Sequence, residues 1–211
     1  MSSSQTIASR QQVHKRIIEW ADQRFRKDGI RAVRMDDLAS ELGISKRTLY
    51  EEFSDKETLL RAVNSRNKEN MHQLVQQFQE ESENVLTFML KIFRFTFEQI
   101  AQTNPKYFQE MQKYPSFCED YEKGRAEHQE ATRQLITRGM DEGLFHRELN
   151  LELFMKAQQL IQESALVNLR DEYGMVETFR ATLLITLRGI STEKGVKILD
   201  DFDRELRQGN I

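Results

Sequence analysis

The chain gathers hydrogen-bond donors into one short stretch. Lys46, Arg47, Thr48 and Tyr50 stand close together behind Ser45, Lys56 follows soon after, and Arg31 and Arg34 lie just upstream. An arginine can hold guanine O6 and N7 in a bidentate fork, while lysine, threonine and tyrosine donate to phosphate oxygens. The chemistry these residue types offer together is recognition of a nucleic acid. Other chemistry finds little support. The four histidines, His14, His72, His128 and His146, stand apart, without the i, i+4 His pair or the His/Cys set that zinc requires. Neither a Gly-rich phosphate loop nor a nucleophile elbow is present. The adjacent acids Asp36-Asp37 and Glu119-Asp120 point to different helix faces, as sequence neighbours do. No cofactor, no metal and no enzymatic activity are expected.

Donors read a sequence only when something holds them at a fixed angle, and residues 35–60, MDDLASELGISKRTLYEEFSDKETLL, contain the holder. Leu38 and Leu42 share a helical face at i, i+4, and Ala39 is small enough for a second helix to pack closely across it. Gly43 tolerates the positive φ of a tight turn, Ile44 pins that turn to the core, and Ser45 can cap the next helix. Leu49 turns the second helix inward. This is the spacing of a helix-turn-helix. It leaves Lys46, Arg47, Thr48 and Tyr50 outward at the end that enters a major groove. Lys46 and Arg47 are expected to read base edges, and Thr48, Tyr50 and Lys56 to contact phosphates. Ser54 with Glu57 reads as a capping box opening a further helix. Upstream, Val13, Ile17, Ala21 and Phe25 repeat every four residues up to Gly29, which predicts a first helix over residues 10–28 packed on the motif.

At these positions the chain resembles the TetR family of bacterial transcriptional regulators. The residues that carry the resemblance are Asp37, Leu38, Ala39, Gly43, Ile44, Ser45, Thr48, Leu49, Tyr50, Phe53, Lys56, Glu57, Leu59 and Leu60. The likeness is strong over about residues 10 to 62 and architectural beyond. It implies phosphate contacts from Thr48, Tyr50 and Lys56; with Arg34, Ser45, Lys46 and Arg47 these are the expected DNA-binding residues. Three positions depart from the family pattern. Val33 and Arg34 stand where Thr or Ser often opens the motif, Arg47 where glycine is common, and Glu52 where histidine is. A carboxylate beside phosphates repels them, so Glu52 is expected to turn away.

The rest of the chain sets the frame. Its 211 residues are 31% charged with a net charge of -3, which suits a soluble cytoplasmic protein of one or two domains. Residues 1–60 hold 11 Lys/Arg against 10 Asp/Glu, so DNA affinity must come from a local patch. Apolar runs such as residues 85–92 and 181–187 are too short to cross a bilayer, and the Ser-rich start lacks the apolar core of a signal peptide. A single cysteine, Cys118, excludes an internal disulfide.

Two prolines, nine glycines and many Leu, Glu, Gln, Arg and Lys residues predict an all-α protein. Helices are expected over 55–81, 83–102 (apolar around most of its circumference), up to Asp141 before Gly143, and over 151–170. Val176, Phe179, Leu183, Leu187 and Ile190 form a heptad-like stripe on the last long one. The resulting division is a DNA-binding domain over 1–55 and a helical dimerisation and effector domain over 56–211. The resemblance, with the stripe, places a homodimer seam on the helices near 151–170 and 176–190. It also implies a pocket among the second-half aromatics, with Phe93, Phe97, Phe108, Met111, Tyr114 and Phe117 as its expected lining. Tyr107 and Tyr121 belong to the same aromatic group.

The function expected is a repressor that binds a palindromic operator as a homodimer and is released by a small, largely apolar or aromatic effector. Two alternatives stay open: a regulator with no small-molecule effector, or an activator; and a carrier or enzyme keeping a vestigial motif.

Overall fold

The apolar stripe at the start of the chain builds a helix, α1 (Ser2–Asp28), that buries Ile17, Ala21 and Phe25. In this computed structural model the backbone is described for residues 2–208. Side chains are described from residue 10 onward within that span, apart from those of 121, 162, 163, 165–168, 170 and 171; the expected aromatic contribution of Tyr121 thus lies outside the described residues. α1 packs on α2 (Met35–Leu42), and α2 on α3 (Lys46–Glu52). Gly43 closes α2 at φ 65°, the left-handed turn expected of it, and Ser45 caps α3 by accepting from the Thr48 amide at 3.0 Å. Leu38, Ala39 and Leu49 are buried, with Ile44 packed against the same core. Hydrophobic burial among these three helices thereby fixes how α3 is presented.

The next helix, α4 (Lys56–Glu80), corrects one expectation. Its cap is Asp55, whose carboxylate accepts from the Thr58 amide at 2.7 Å, and not Ser54 in a box with Glu57. The helix begins one residue later than a Ser54 cap requires, and an ionised carboxylate is at least as good an acceptor as a hydroxyl there. That hydrogen bond also holds the Asp55 carboxyl below its usual pKa. Glu57 instead accepts from the backbone amide of Ser116 at 3.3 Å.

The chain forms two compact units that do not follow chain order. The first joins Met1–Gln73 to Gln102–Glu122; the second joins Leu74–Ala101 to Lys123–Ile211. The segment around α6 (Pro105–Met111) folds against α1. Asn104 caps α6 through the Lys106 amide, its own amide donates to Arg26 O at 2.8 Å, and its side chain donates to Lys27 O. Tyr107 is buried in the first unit's core beside the Arg26 guanidinium, and burial pushes its hydroxyl pKa up to about 12. Glu110 accepts from the Arg31 amide at 2.7 Å. α7 (Pro115–Asp141) starts in this unit and ends in the second, at Gly143 with φ 70°.

The second unit is built on α5 (Val85–Ala101), which Asn84 caps, together with α8 (Leu151–Asn168), α9 (Arg170–Tyr173), α10 (Met175–Ile190) and α11 (Glu193–Arg207). α10 packs on α5, α8 and α11. The stripe expected to meet a partner chain turns inward: Leu183, Leu187 and Ile190 are buried in this unit's own core. α11 was not expected at all. Its apolar residues, Leu199 and Phe202 with Leu206, are thinly spread among charges, yet they complete the core after a Thr192 cap.

An isolated antiparallel bridge between Phe145 and Ser191 ties the α7–α8 turn to the start of α11, with the Thr192 amide on Leu144 O at 2.9 Å. A Cβ on Gly195 would lie 2.4 Å from that same Leu144 oxygen. Gly to Ala in a helix ordinarily gains up to about 1 kcal/mol. Here a pinned backbone carbonyl reverses the sign, and Gly195→Ala is expected to cost about 1–3 kcal/mol. Thermal melts check this, with Gly124→Ala in α7 as the comparison, since nothing lies within 4 Å of Gly124; equal behaviour of the two variants would refute it.

Candidate nucleic-acid interface

α3 is only two turns long, so its orientation depends on what it is packed against. Leu49 and Phe53 anchor it in the first unit's core, which leaves Lys46, Arg47 and Tyr50 exposed on the other side. These are the donors that sequence spacing assigns to the groove-entering end, and the structure brings them together on one surface. Ser45 and Thr48 sit beside them, joined by hydroxyls 2.8 Å apart and by the cap hydrogen bond. Thr48 thus has its amide committed to the cap and its hydroxyl at the helix start, where a phosphate meets the positive end of the helix dipole. Arg34 occupies the N-cap position of α2 without a side-chain capping bond and is exposed.

Lys56 stands differently. Its ammonium donates to Ile30 O at 3.0 Å and Arg31 O at 3.4 Å, and partial burial lowers its pKa, opposed by the nearby Glu110 carboxylate. It clamps the loop between α1 and α2 from one side while Glu110 holds the Arg31 amide from the other. These bonds tie the start of α4 to the loop that carries Arg31 and Arg34.

Glu52 turns away from the reading surface. One carboxylate oxygen takes Arg10 Nε at 2.5 Å and the other lies 2.8 Å from His14 Nδ1, whose ring stacks on Phe53 at 4.8 Å. Burial works to raise the Glu52 pKa, but the hydrogen bonds from His14 and Arg10 outweigh it and hold the carboxyl below its ordinary value. The Glu52 charge is thereby taken up by α1.

Two residues that sequence reasoning passed over belong to this surface. Asp36 accepts from Lys46 Nζ at 2.6 Å and Glu51 from Arg47 Nε at 2.7 Å. Each hydrogen bond raises the pKa of its cation. The Arg47–Glu51 pair is readable from its i, i+4 spacing. The Lys46–Asp36 pair is not, because the turn at Gly43 brings together residues ten apart on two helices.

The six residues expected around one pocket divide between the units. Phe108, Met111 and Tyr114 pack against the first unit's core, and Phe117 falls within the same stretch of chain. Phe93 and Phe97 belong to the second, where both meet Phe179 edge to face, at 6.3 and 5.4 Å. The aromatic group is thus two clusters, separated because the chain folds back after α5. Among the described residues no group of His, Cys, Asp and Glu could hold a metal, and no helix is long and apolar enough to cross a membrane.

Comparison with known proteins falls on the same residues. Residues 17–63 match the model of the bacterial regulatory proteins of the tetR family. No curated protein matches the chain by sequence. Solved structures share the fold over most of the chain. A TetR-family transcriptional regulator from Agrobacterium tumefaciens superposes with TM-score 0.67 at 15% identity, covering 87% of this chain and 100% of that one. A Saccharomonospora viridis protein solved in complex with choline gives 0.63 at 17% identity, covering 91% and 95%. The ketosteroid transcriptional regulator of Mycobacterium tuberculosis gives 0.55 at 21%, covering 85% and 95%. At these identities the structural likeness speaks for the fold, and the family match speaks for the segment that holds the helix-turn-helix. Over residues 17–63 the chain is thus similar to the tetR family of bacterial regulatory proteins, and the match supports a DNA-binding regulator of transcription.

Proposed function

We propose that this protein is a transcriptional repressor that binds a palindromic operator as a homodimer, residues 1–55 reading DNA and 56–211 serving dimerisation and effector sensing. The observation that carries the reading is the presentation of Lys46, Arg47 and Tyr50 to solvent from the second helix of a helix-turn-helix whose other face is buried. Lys46 and Arg47 read base edges; Arg34, Ser45, Thr48 and Tyr50 contact phosphates; Lys56 supports them from behind.

One such helix reads only a few base pairs, and a two-fold pair reads two half-sites. Support for the pair comes from apolar side chains left in water. Leu153, Leu160 and Ile161 share a face of α8 at i, i+7, i+8, and Ile185 is exposed on α10. α8 and α10 pack together, with Thr186 donating to Gln158 at 2.8 Å. Apolar surface of this kind usually marks an interface.

The effector in this reading is small and largely apolar or aromatic. Of the six expected lining residues, Phe93 and Phe97 are those we assign to it, since they share a cluster with Phe179 in the sensing half. Aromatic rings also suit a quaternary ammonium such as the choline of the Saccharomonospora viridis structure. Effector binding favours a dimer whose readers no longer fit adjacent major grooves.

The test is a gel shift on the DNA upstream of the protein's own gene. Wild type should retard it, and Arg47→Ala combined with Tyr50→Ala should weaken binding by about tenfold to several hundredfold, the worth of a bidentate base contact and a phosphate anchor. Failure of wild type to shift, or equal binding by the double variant, defeats the reading.

A further inference from the structure

Both cations assigned to base reading already have an anion. Lys46 Nζ sits 2.6 Å from Asp36 and Arg47 Nε 2.7 Å from Glu51, although the Lys46 and Arg47 side chains are 65% and 87% exposed. Exposed ion pairs of this kind are weak and exchange readily. They do not block the surface; they compete for it. A DNA molecule must displace a carboxylate from each cation, and what it offers in return depends on its sequence. A matched guanine gives Arg47 two hydrogen bonds in a fixed plane, a better bargain for the guanidinium than one carboxylate oxygen. A phosphate of unmatched DNA gives only another anion, and the displaced carboxylate is left facing a polyanion.

The first 60 residues hold 11 cationic against 10 acidic side chains, so no surplus of positive charge swamps this competition. A further carboxylate on α3, Glu52, is held by Arg10 and His14 on α1. Asp36 and Glu51 are the acids hydrogen-bonded to the readers, while Asp37 acts on Lys46 through its charge alone.

We infer that Asp36 and Glu51 are specificity-determining residues, intramolecular counterions that hold Lys46 and Arg47 off sequence-neutral duplex and yield them to a matched base edge. The inference rests on the DNA-binding reading of the preceding section. Removing the competitors should strengthen non-specific binding more than specific binding, and it should add phosphate contacts, which steepen the salt dependence by about 0.9 per contact.

Fluorescence anisotropy of the full-length protein with a short duplex of random sequence tests this, titrated from about 50 to 200 mM salt. Asp36→Asn and Glu51→Gln, singly and together, keep the shape of each side chain and remove its charge. The double variant should bind the random duplex about five- to tenfold more tightly at low salt, with a log-log slope steeper by about one or more. The ratio of its affinities for the gene's own upstream DNA and for the random duplex should fall. Asp37→Asn, at an exposed acid one residue away whose charge reaches Lys46 without a hydrogen bond to it, removes the same charge and should have the smaller effect. Circular dichroism melts establish that each variant is folded.

The proposal is overturned if the double variant matches wild type in affinity and slope while Arg47→Ala with Tyr50→Ala weakens binding; the DNA reading then stands without it. It is also overturned if Asp37→Asn acts as strongly as Asp36→Asn, since the effect is then one of net charge. If the Arg47 and Tyr50 replacements leave binding to the upstream DNA unchanged, the reading fails first and the inference falls with it.

Discussion

Replacing Leu160 and Ile185 together by aspartate is expected to convert a two-chain species into a single chain and to lower affinity for the upstream DNA by about 10²- to 10⁴-fold. The two side chains are 56% and 73% exposed within one chain, so charges there leave the unit's own core intact. Between two chains the same positions would bury carboxylates against apolar neighbours, and an unpaired buried charge is among the costliest changes an interface can suffer. The DNA effect follows from linkage. Once one reader is bound, its tethered twin meets the second half-site at an effective concentration near millimolar, and separating the chains forfeits that gain. Light scattering behind a sizing column gives the mass, and circular dichroism shows that the helices persist. A folded variant that still travels as two chains would place the seam elsewhere.

Phe25→Ala should produce the largest loss of stability in the reader unit, about 3–5 kcal/mol. Phe25 is fully buried in the core shared with Leu38, Leu49 and Tyr107. Helices on several sides are held in place by their own caps and ion pairs, which limits how far the cavity can collapse. The chain supplies its own reporter. Its one tryptophan, Trp20, lies on α1 with its indole N–H donating to Glu41 at 2.7 Å. Urea unfolding followed by Trp20 fluorescence therefore reads the first unit directly. A loss below about 1.5 kcal/mol would mean that the surrounding helices close over the vacated space.

The contrast between what was and was not legible has a physical pattern. The helix-turn-helix was readable because every signal in it is local: a glycine that must go left-handed, a hydroxyl that must cap, and leucines one turn apart. The cap of α4 was missed by one residue, since Ser54 and Asp55 are both good caps and only the three-dimensional start of the helix chooses between them. The stripe from Val176 to Ile190 was correctly seen as apolar, but apolarity does not say whether the partner is the same chain or another. Here α5 and α11 cover much of it. α11 itself went unseen because two buried residues suffice to seat it among its charges. The split of the aromatic group lay beyond local reasoning altogether, because it depends on where α6 goes after α5.

That path of α6 bears on how the protein comes into being. Synthesis delivers the helix-turn-helix early, yet the Asn104 cap over the end of α1, the Tyr107 ring in its core and the Glu110 carboxylate on its loop arrive only after the whole of α5 has been made. Until then the nascent reader lacks a core side chain and has unmet backbone groups at Arg26 and Arg31. Its completion waits on a loop closure spanning 79 residues of chain between Arg31 and Glu110, the kind of long-range contact that slows folding. A nascent chain therefore cannot acquire a finished DNA reader before most of its α5 partner for the second unit has also left the ribosome, which delays DNA binding until assembly of both halves is under way.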